Sequence, residues 1–316
     1  LAEEIEENDL DEIAAELMSN FDSDRQSRSE WAKSYVKGLD LLGMKIEERQ
    51  QPWAGSSGVF HPILTESIVR FQAQAMGEIY PASGPVRTKI LGKLSVEKTE
   101  QALRVENEMN YLLTEEMTEY RDETEQMLFK LPLAGSAFKK VYYDPNKQRA
   151  VSTFVPVEDL VVPYTASDLE TCERVTHVVK MTYNEIRTQQ LAGFYRDIEL
   201  KPVQAEKSQV QKKYEELEGI TPSGDQPSNF NILEMHVDLN LEEYEIQDPE
   251  KQIKIPYIVT IDEGSGEILS IYRNYDIDDE TKKRKEYFVH YKFLPGLGFY
   301  GFGLIHMIGG LSRTAT

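Results

Sequence analysis

The 316-residue chain has one cysteine, Cys172, so no disulfide can form within it. The acidic neighbours in D-L-E-T-C-E-R-V disfavour a thiolate there, which argues against a nucleophile. Basic charge is scarce: 35 Lys and Arg stand against 55 Asp and Glu, a formal net of −20. A protein that grips DNA by neutralising phosphates is basic, so the balance argues against tight or sequence-specific nucleic-acid binding. No apolar run reaches the ~20 residues of a membrane-spanning helix. The longest, around 299–311, is short and glycine-rich, and the acidic first residues do not read as a signal peptide. A phosphate-binding loop is missing as well. Gly92-Lys93 is followed by Leu94 where a hydroxyl must reach magnesium, and Arg87 stands where the first glycine belongs. The chain therefore does not read as an ATPase motor. It has no G-x-S-x-G elbow and no clustered Cys-His site.

What is present supports a folded, mixed protein. Hydrophobic residues make up 40% and charged residues 28% of the chain, enough for a core and a solvated surface. Acid is concentrated early: residues 1–30 hold eleven Asp or Glu, with Arg25 and Arg28 the only bases. Such a run is a solvated tail, or a surface that repels DNA or docks a basic partner. The spacing predicts a short helix over 10–18. A second helix opens at Ser23 with Gln26 in a capping-box position, and puts Trp31, Tyr35, Leu39 and Leu42 on one face up to Gly43. A Pro, Gly and Ser-rich loop covers 50–58. A helix from His61 or Pro62 to Tyr80 buries Leu64, Ile68, Phe71, Ala75 and Ile79, with Glu66 and Arg70 paired outside. Residues 86–91 alternate as a strand. Ser95 caps a long charged helix with Ala102, Val105, Met109 and Leu112 on one face, continuing with a break to Leu131.

From residue 137 the period shortens to near two. A hairpin is predicted over 137–143 and 150–155, turning at Asp144-Pro145-Asn146-Lys147. Further strands are expected over 175–181, 231–239, 253–261, 267–273 and from Tyr287, with helices over 182–192 and 205–218 and a polar loop over 221–228. The fold class is α+β: long N-terminal helices, then a mixed or antiparallel β-region. The organisation is 1–58 acidic and helical, 59–135 helical, 136–300 β-rich, and 301–316 the start of another helix.

Two constellations carry chemistry-competent groups. Glu234, His236 and Asp238 alternate along a strand, so all three share one face and present metal-competent ligands. The plainer reading is a polar, solvent-facing strand face beside Leu233, Met235, Val237 and Leu239. Lys282, Lys283, Arg284 and Lys285 form the one concentrated basic run, a solvated loop or a local contact to DNA backbone or an acidic neighbour. His61, His177, His290 and His306 lack metal-ligand spacing and read as structural. Glu115 and Glu116 are adjacent on a helix and diverge, a poor acid–base pair.

The most telling stretch is 293–310, F-L-P-G-L-G-F-Y-G-F-G-L-I-H-M-I-G-G. Pro295 extends neither helix nor sheet. Gly296, Gly298, Gly301 and Gly303 punctuate an aromatic run. Leu304, Ile305, Met307 and Ile308 then read as the first turns of a buried helix, containing Gly309 and Gly310. This is a glycine-hinged passage from strand to helix, its hinge residues Gly298, Gly301, Gly303, Gly309 and Gly310. With three other stretches, P-W-A-G-S-S-G-V-F-H-P-I-L-T-E-S-I-V-R-F-Q-A-Q (52–74), P-V-E-D-L-V-V-P-Y (156–164) and Y-F-V-H-Y-K-F-L-P-G (287–296), the chain resembles the portal protein, or head-to-tail connector, of tailed double-stranded DNA phages. The likeness is to the long-chain portals of short-tailed phages.

The resemblance implies the N-terminal part of a longer protein: a wing domain and the beginning of a stem helix. It implies a homo-oligomeric ring, dodecameric in the family, at the special capsid vertex of the virion and assembled in the host cytoplasm. The ring surrounds a channel for double-stranded DNA during packaging and ejection, without sequence specificity. It contacts the major capsid protein, docks terminase, later binds tail adaptor proteins, and uses no cofactor, membrane or covalent chemistry. Two rivals stand beside it: another phage connector or adaptor ring protein, and a metal-dependent hydrolase built on Glu234, His236 and Asp238.

Overall fold

The computed structural model describes residues 1–42, 61–145, 147–200, 208–219, 229–241 and 254–315. The expectations for Gly43, for the loops at 50–58 and 221–228, and for residues 52–60 of the stretch 52–74 lie outside the described residues. In chain order the helices are α1 (Glu7–Ser27), α2 (Ser29–Leu39), α3 (Ile63–Ile79), α4 (Val96–Tyr111), α5 (Tyr120–Ala134), α6 (Tyr183–Leu191), α7 (Gln209–Glu218) and α8 (Leu304–Ala315). The strands are β1 (Ser136–Asp144), β2 (Arg149–Val155), β3 (Leu160–Val161), β4 (Arg174–Met181), β5 (Phe230–Leu239), β6 (Ile255–Asp262), β7 (Ile268–Arg273) and β8 (Phe288–Lys292). The fold is α+β, with every strand pairing antiparallel.

Contacts divide the chain into two compact units, Leu1–Leu39 with Glu158–Glu286, and Asp40–Val157 with Tyr287–Thr316. Both are discontinuous in sequence and cut across the boundaries drawn at 135 and 300. The first unit holds a five-stranded sheet ordered β3-β4-β5-β6-β7. One face presents Leu233, Met235, Val237, Tyr257, Val259 and Ile271, and α1 lays Leu10, Ala14, Leu17 and Phe21 on it. Ile186, Leu200, Phe230, Ile232 and Leu269 form a smaller cluster on other side chains of the sheet. Alternation of apolar residues along β5 and β6 is what a sheet needs to bury a face this way.

The helix expected to begin at Ser23 does not begin there. α1 runs unbroken through Ser23 to Ser27, and the chain breaks at Arg28 before α2. The apolar row Leu10, Ala14, Leu17, Phe21 holds the helix on the sheet, and that burial outweighs the capping signal. Asp24, one turn on, is 4% exposed and pairs bidentately with Arg174 of β4 at 2.8 and 3.0 Å.

The second unit holds a three-stranded sheet ordered β2-β1-β8. α3 packs on α5 through Phe71, Ala75 and Met76, against Met127, Leu128 and Leu131, with Ala137 of β1 and Phe154 of β2 in the same cluster. Residues 86–91 are not a strand. Val86 and Thr88 donate their N–H groups to side chains of α4, Asn110 and Glu106, at 2.9 Å each, so no strand partner is needed. Ser95 caps α4 as expected, accepting from the Lys98 N–H at 3.2 Å. The break that follows is a π-helical turn at Leu112–Glu116. The apolar face expected on α4 lacks cover, however: none of its residues is buried, and Val105 and Met109 are exposed. No helix of the described residues is long and apolar enough to cross a membrane.

Candidate functional site

The glycine-rich passage lies within the second unit, where α5, β1, β8 and α8 meet. α5 ends on Gly135, whose φ of 87° is left-handed and favours glycine. Its N–H caps Leu131 at 2.8 Å, and its carbonyl accepts from the Phe293 N–H at 3.0 Å. Leu294 then bridges Phe302 in antiparallel fashion, so residues 295–301 form a closed return.

Glycine is required here by contact. A Cβ on Gly301 would run into the carbonyl oxygens of Gly135 and Leu294. One on Gly303 would meet the Leu133 and Pro132 carbonyls and the Gly135 nitrogen. These obstacles are backbone atoms, which cannot swing aside as a side chain would. Gly309 is also packed, 3.4 Å from Leu41 Cδ1, whereas Gly298 and Gly310 face open space. None of these five has positive φ. The sequence reading made these glycines a hinge through backbone freedom; the structure gives Gly301 and Gly303 a further reason, the crossing of two chain segments at van der Waals range.

A side-chain lock closes the crossing. Ser136 is 1% exposed, and its Oγ accepts the Gly301 N–H at 2.8 Å and lies 3.0 Å from His290 Nε2. The imidazole packs against the rings of both Phe138 and Phe299, centroids 4.5 and 4.7 Å away, and the two phenyl rings also stack on each other. Burial, and then the Lys292 ammonium, push its pKa down to about 4, so it is neutral at ordinary pH. The Ser–His spacing is that of a nucleophile and its base. Yet Ser136 is enclosed and its Oγ is held by backbone, so the pair fastens the loop. At the mouth of α8, Gly303 donates its N–H to His306 Nδ1 at 3.1 Å, and the His306 N–H returns to the Gly303 carbonyl at 3.0 Å. His306 thus serves as a helix cap. Sequence reasoning missed Ser136, Gly135 and this cap; their partners are more than 150 residues away, or follow three positions on from a glycine.

α8 packs its Gly309 and Ser312 side inward, with Leu304, Ile305 and Ile308 half-buried. Met307, expected in that inward set, is instead 53% exposed beside Leu311. The three-position step from Leu304 to Met307 brings a side chain most of one turn round, and here it carries Met307 past the edge of the packed face.

In the first unit, the Glu234, His236, Asp238 row engages other partners. His236 is 3% exposed, 2.8 Å from Glu234 and 3.3 Å from Asn274 Nδ2. Asp238 accepts from Arg284 at 2.9 Å. The row shares a face as expected, but the solvent-facing reading fails at His236, which is buried. Among the described residues no three His, Cys, Asp or Glu are grouped to hold a metal ion. The basic run is internally occupied: Lys282 lies over the Tyr275 ring, Lys283 approaches Glu170, and Arg284 also donates to the Cys172 and Glu173 carbonyls. Cys172 is buried, and desolvation pushes its thiol up to about 11. A concavity of about 670 Å³ is lined by Arg25, Arg28, Trp31, Lys180 and Glu158 among others. Arg25 is held by Asp22 and Glu263, and Arg28 by the carbonyls of Glu158 and Leu160. No protein-family model matches this chain, and no curated protein matches it.

Proposed function

We propose that the chain is a subunit of a phage portal, a ring that conducts double-stranded DNA and performs no covalent chemistry. The reading rests on the ordered likeness of 52–74, 156–164 and 287–310 to that family. The observation that supports it best is α4, an amphipathic helix with no buried residue, as expected of an element that meets its partner in an assembly. The passage through Gly301 and Gly303 would carry the wing into the stem helix, α8, with Gly298 and Gly310 the adaptable points. Net acidity of −20 lowers affinity for DNA, which a conduit requires. Capsid protein, terminase and tail adaptor are the partners such a ring would meet.

Native mass spectrometry and negative-stain imaging of the full-length protein test the reading. Closed rings are expected, and a monomer at high concentration would sink it. Binding of the ring to terminase separates a portal from an adaptor ring. Stoichiometric zinc or manganese lost on His236→Ala would promote the hydrolase instead.

A further inference from the structure

We propose that α4 of one copy docks on the outward face of α8 of the next copy, an inference that rests on the ring reading above. The two faces are unlike. α4 offers Val105 and Met109, 47% and 40% exposed, one helical turn apart. α8 offers Met307 and Leu311, 53% and 66% exposed, around Gly310, where a Cβ would meet only open space. A glycine between two apolar side chains leaves a dip that a knob from a second helix fills. Contiguous exposed apolar surface is a mark of protein contacts.

Charge selects the pairing. The chain carries −20, so two copies repel over most of their surface. From Tyr287 to Thr316 there is no Asp or Glu at all, and Lys292 and Arg313 are present. Across 96–116, by contrast, Glu97, Glu100, Glu106, Glu108, Glu115 and Glu116 outnumber Lys98 and Arg104. An acid-flanked apolar stripe therefore has its complement on the same chain, in the one helix among the described residues that lacks acid and also leaves an apolar face open. Glu108 lies at the edge of the Val105 and Met109 row and is exposed. Such rim charges set approach and register more than affinity. Because the faces differ, the contact is head to tail. It repeats from copy to copy and closes as a ring when the rotation allows.

Cysteine cross-linking in the full-length protein reads the contact directly. With Met109→Cys and Leu311→Cys in one chain, mild oxidation is expected to give a ladder of covalent multimers, and each single variant only monomer. Wild type controls for Cys172, which is buried. Rings in native mass spectra without a ladder from the double variant would overturn the contact and leave the ring reading standing. Dimers from Leu311→Cys alone would overturn it in favour of a symmetric α8 pairing. A wild-type monomer would remove the ring reading, and this contact with it. In a second arm, Glu108→Arg is expected to raise the concentration needed for assembly about tenfold. Unchanged assembly by Glu108→Arg, with the ladder intact, would overturn the charge selection.

Discussion

The two units solve the same problem to different degrees. In the five-stranded unit, α1 covers the apolar face of the sheet along its length, and Tyr257, Val259 and Ile261 have no solvent exposure left. In the three-stranded unit, α5 and α3 cover part of the sheet, while Val141 and Tyr143 of β1 stay exposed and no residue of α4 is buried. The first unit uses side-chain volume to hold itself together. The second relies on backbone contact at Gly135, Gly301 and Gly303, where no side chain is admitted. A unit of the second kind has less margin against substitution at its crossing and more surface left for partners.

The sharpest way to break this contrast is through the larger core. Tyr257→Ala should cost about 3–5 kcal/mol in the five-stranded unit. Denaturation followed by hydrogen exchange should show β5 and β6 losing protection while β1 and β8 keep theirs; equal loss in both sheets would merge the two units. Next comes the glycine crossing. Gly301→Val should cost on the order of 3 kcal/mol or more, with the loss confined to β1, β2 and β8 by the same measurement. A near-neutral Gly301→Val would mean that the backbone contact yields.

A smaller effect separates the units by pH. Lys139 is 3% exposed, donates to Thr124 Oγ1 at 2.5 Å and lies over the Tyr120 ring. Burial lowers its pKa to about 8, opposed in part by Glu123. Between about 8 and 10 the unfolded chain holds this proton more often than the folded one. Stability of the three-stranded unit should therefore rise with pH across that window, by on the order of 2 kcal/mol. Lys139→Met should flatten the rise. Above pH 10 the buried Tyr35 and Tyr195 of the other unit, whose pKa values burial raises, pull the opposite way, because the unfolded chain then loses their protons first. The smallest effect is Gly310→Ala, which should stabilise α8 by about 1 kcal/mol through helix propensity, seen as a raised Tm. A loss would mean that Gly310 is packed already in the isolated chain.

The sequence made local structure legible where local chemistry decides it. Ser95 caps α4, and Thr182 with Glu185 forms the reciprocal cap of α6. The hairpin of β1 and β2 follows from alternation around Asp144 and Pro145. What decides the rest lies far away in the chain. Nothing near Ser23 reveals that Phe21 will be pinned to a sheet whose first strand comes more than 130 residues later. Alternation marks Tyr287 onward as a strand without saying that its partner is β1 and that the other strands join a separate sheet. The glycines of 293–310 stood out in the sequence, but their obstacle, the backbone at 132–135, did not.

The pairing of β1 with β8 also fixes an order of events at the ribosome. Ser136 is partnered with Lys292, so β1 emerges during synthesis more than 150 residues before its neighbour exists. The strands of the five-stranded sheet are complete by Arg273, before β8 has been made. The hairpin of β1 and β2 must wait through that interval with one edge unsatisfied, and an unpaired edge is a template for another chain. Closure of so distant a loop is slow. Pairing of β8 with β1 is thus the step that ends this exposure, and a nascent chain stalled short of residue 288 is the species most in need of a chaperone.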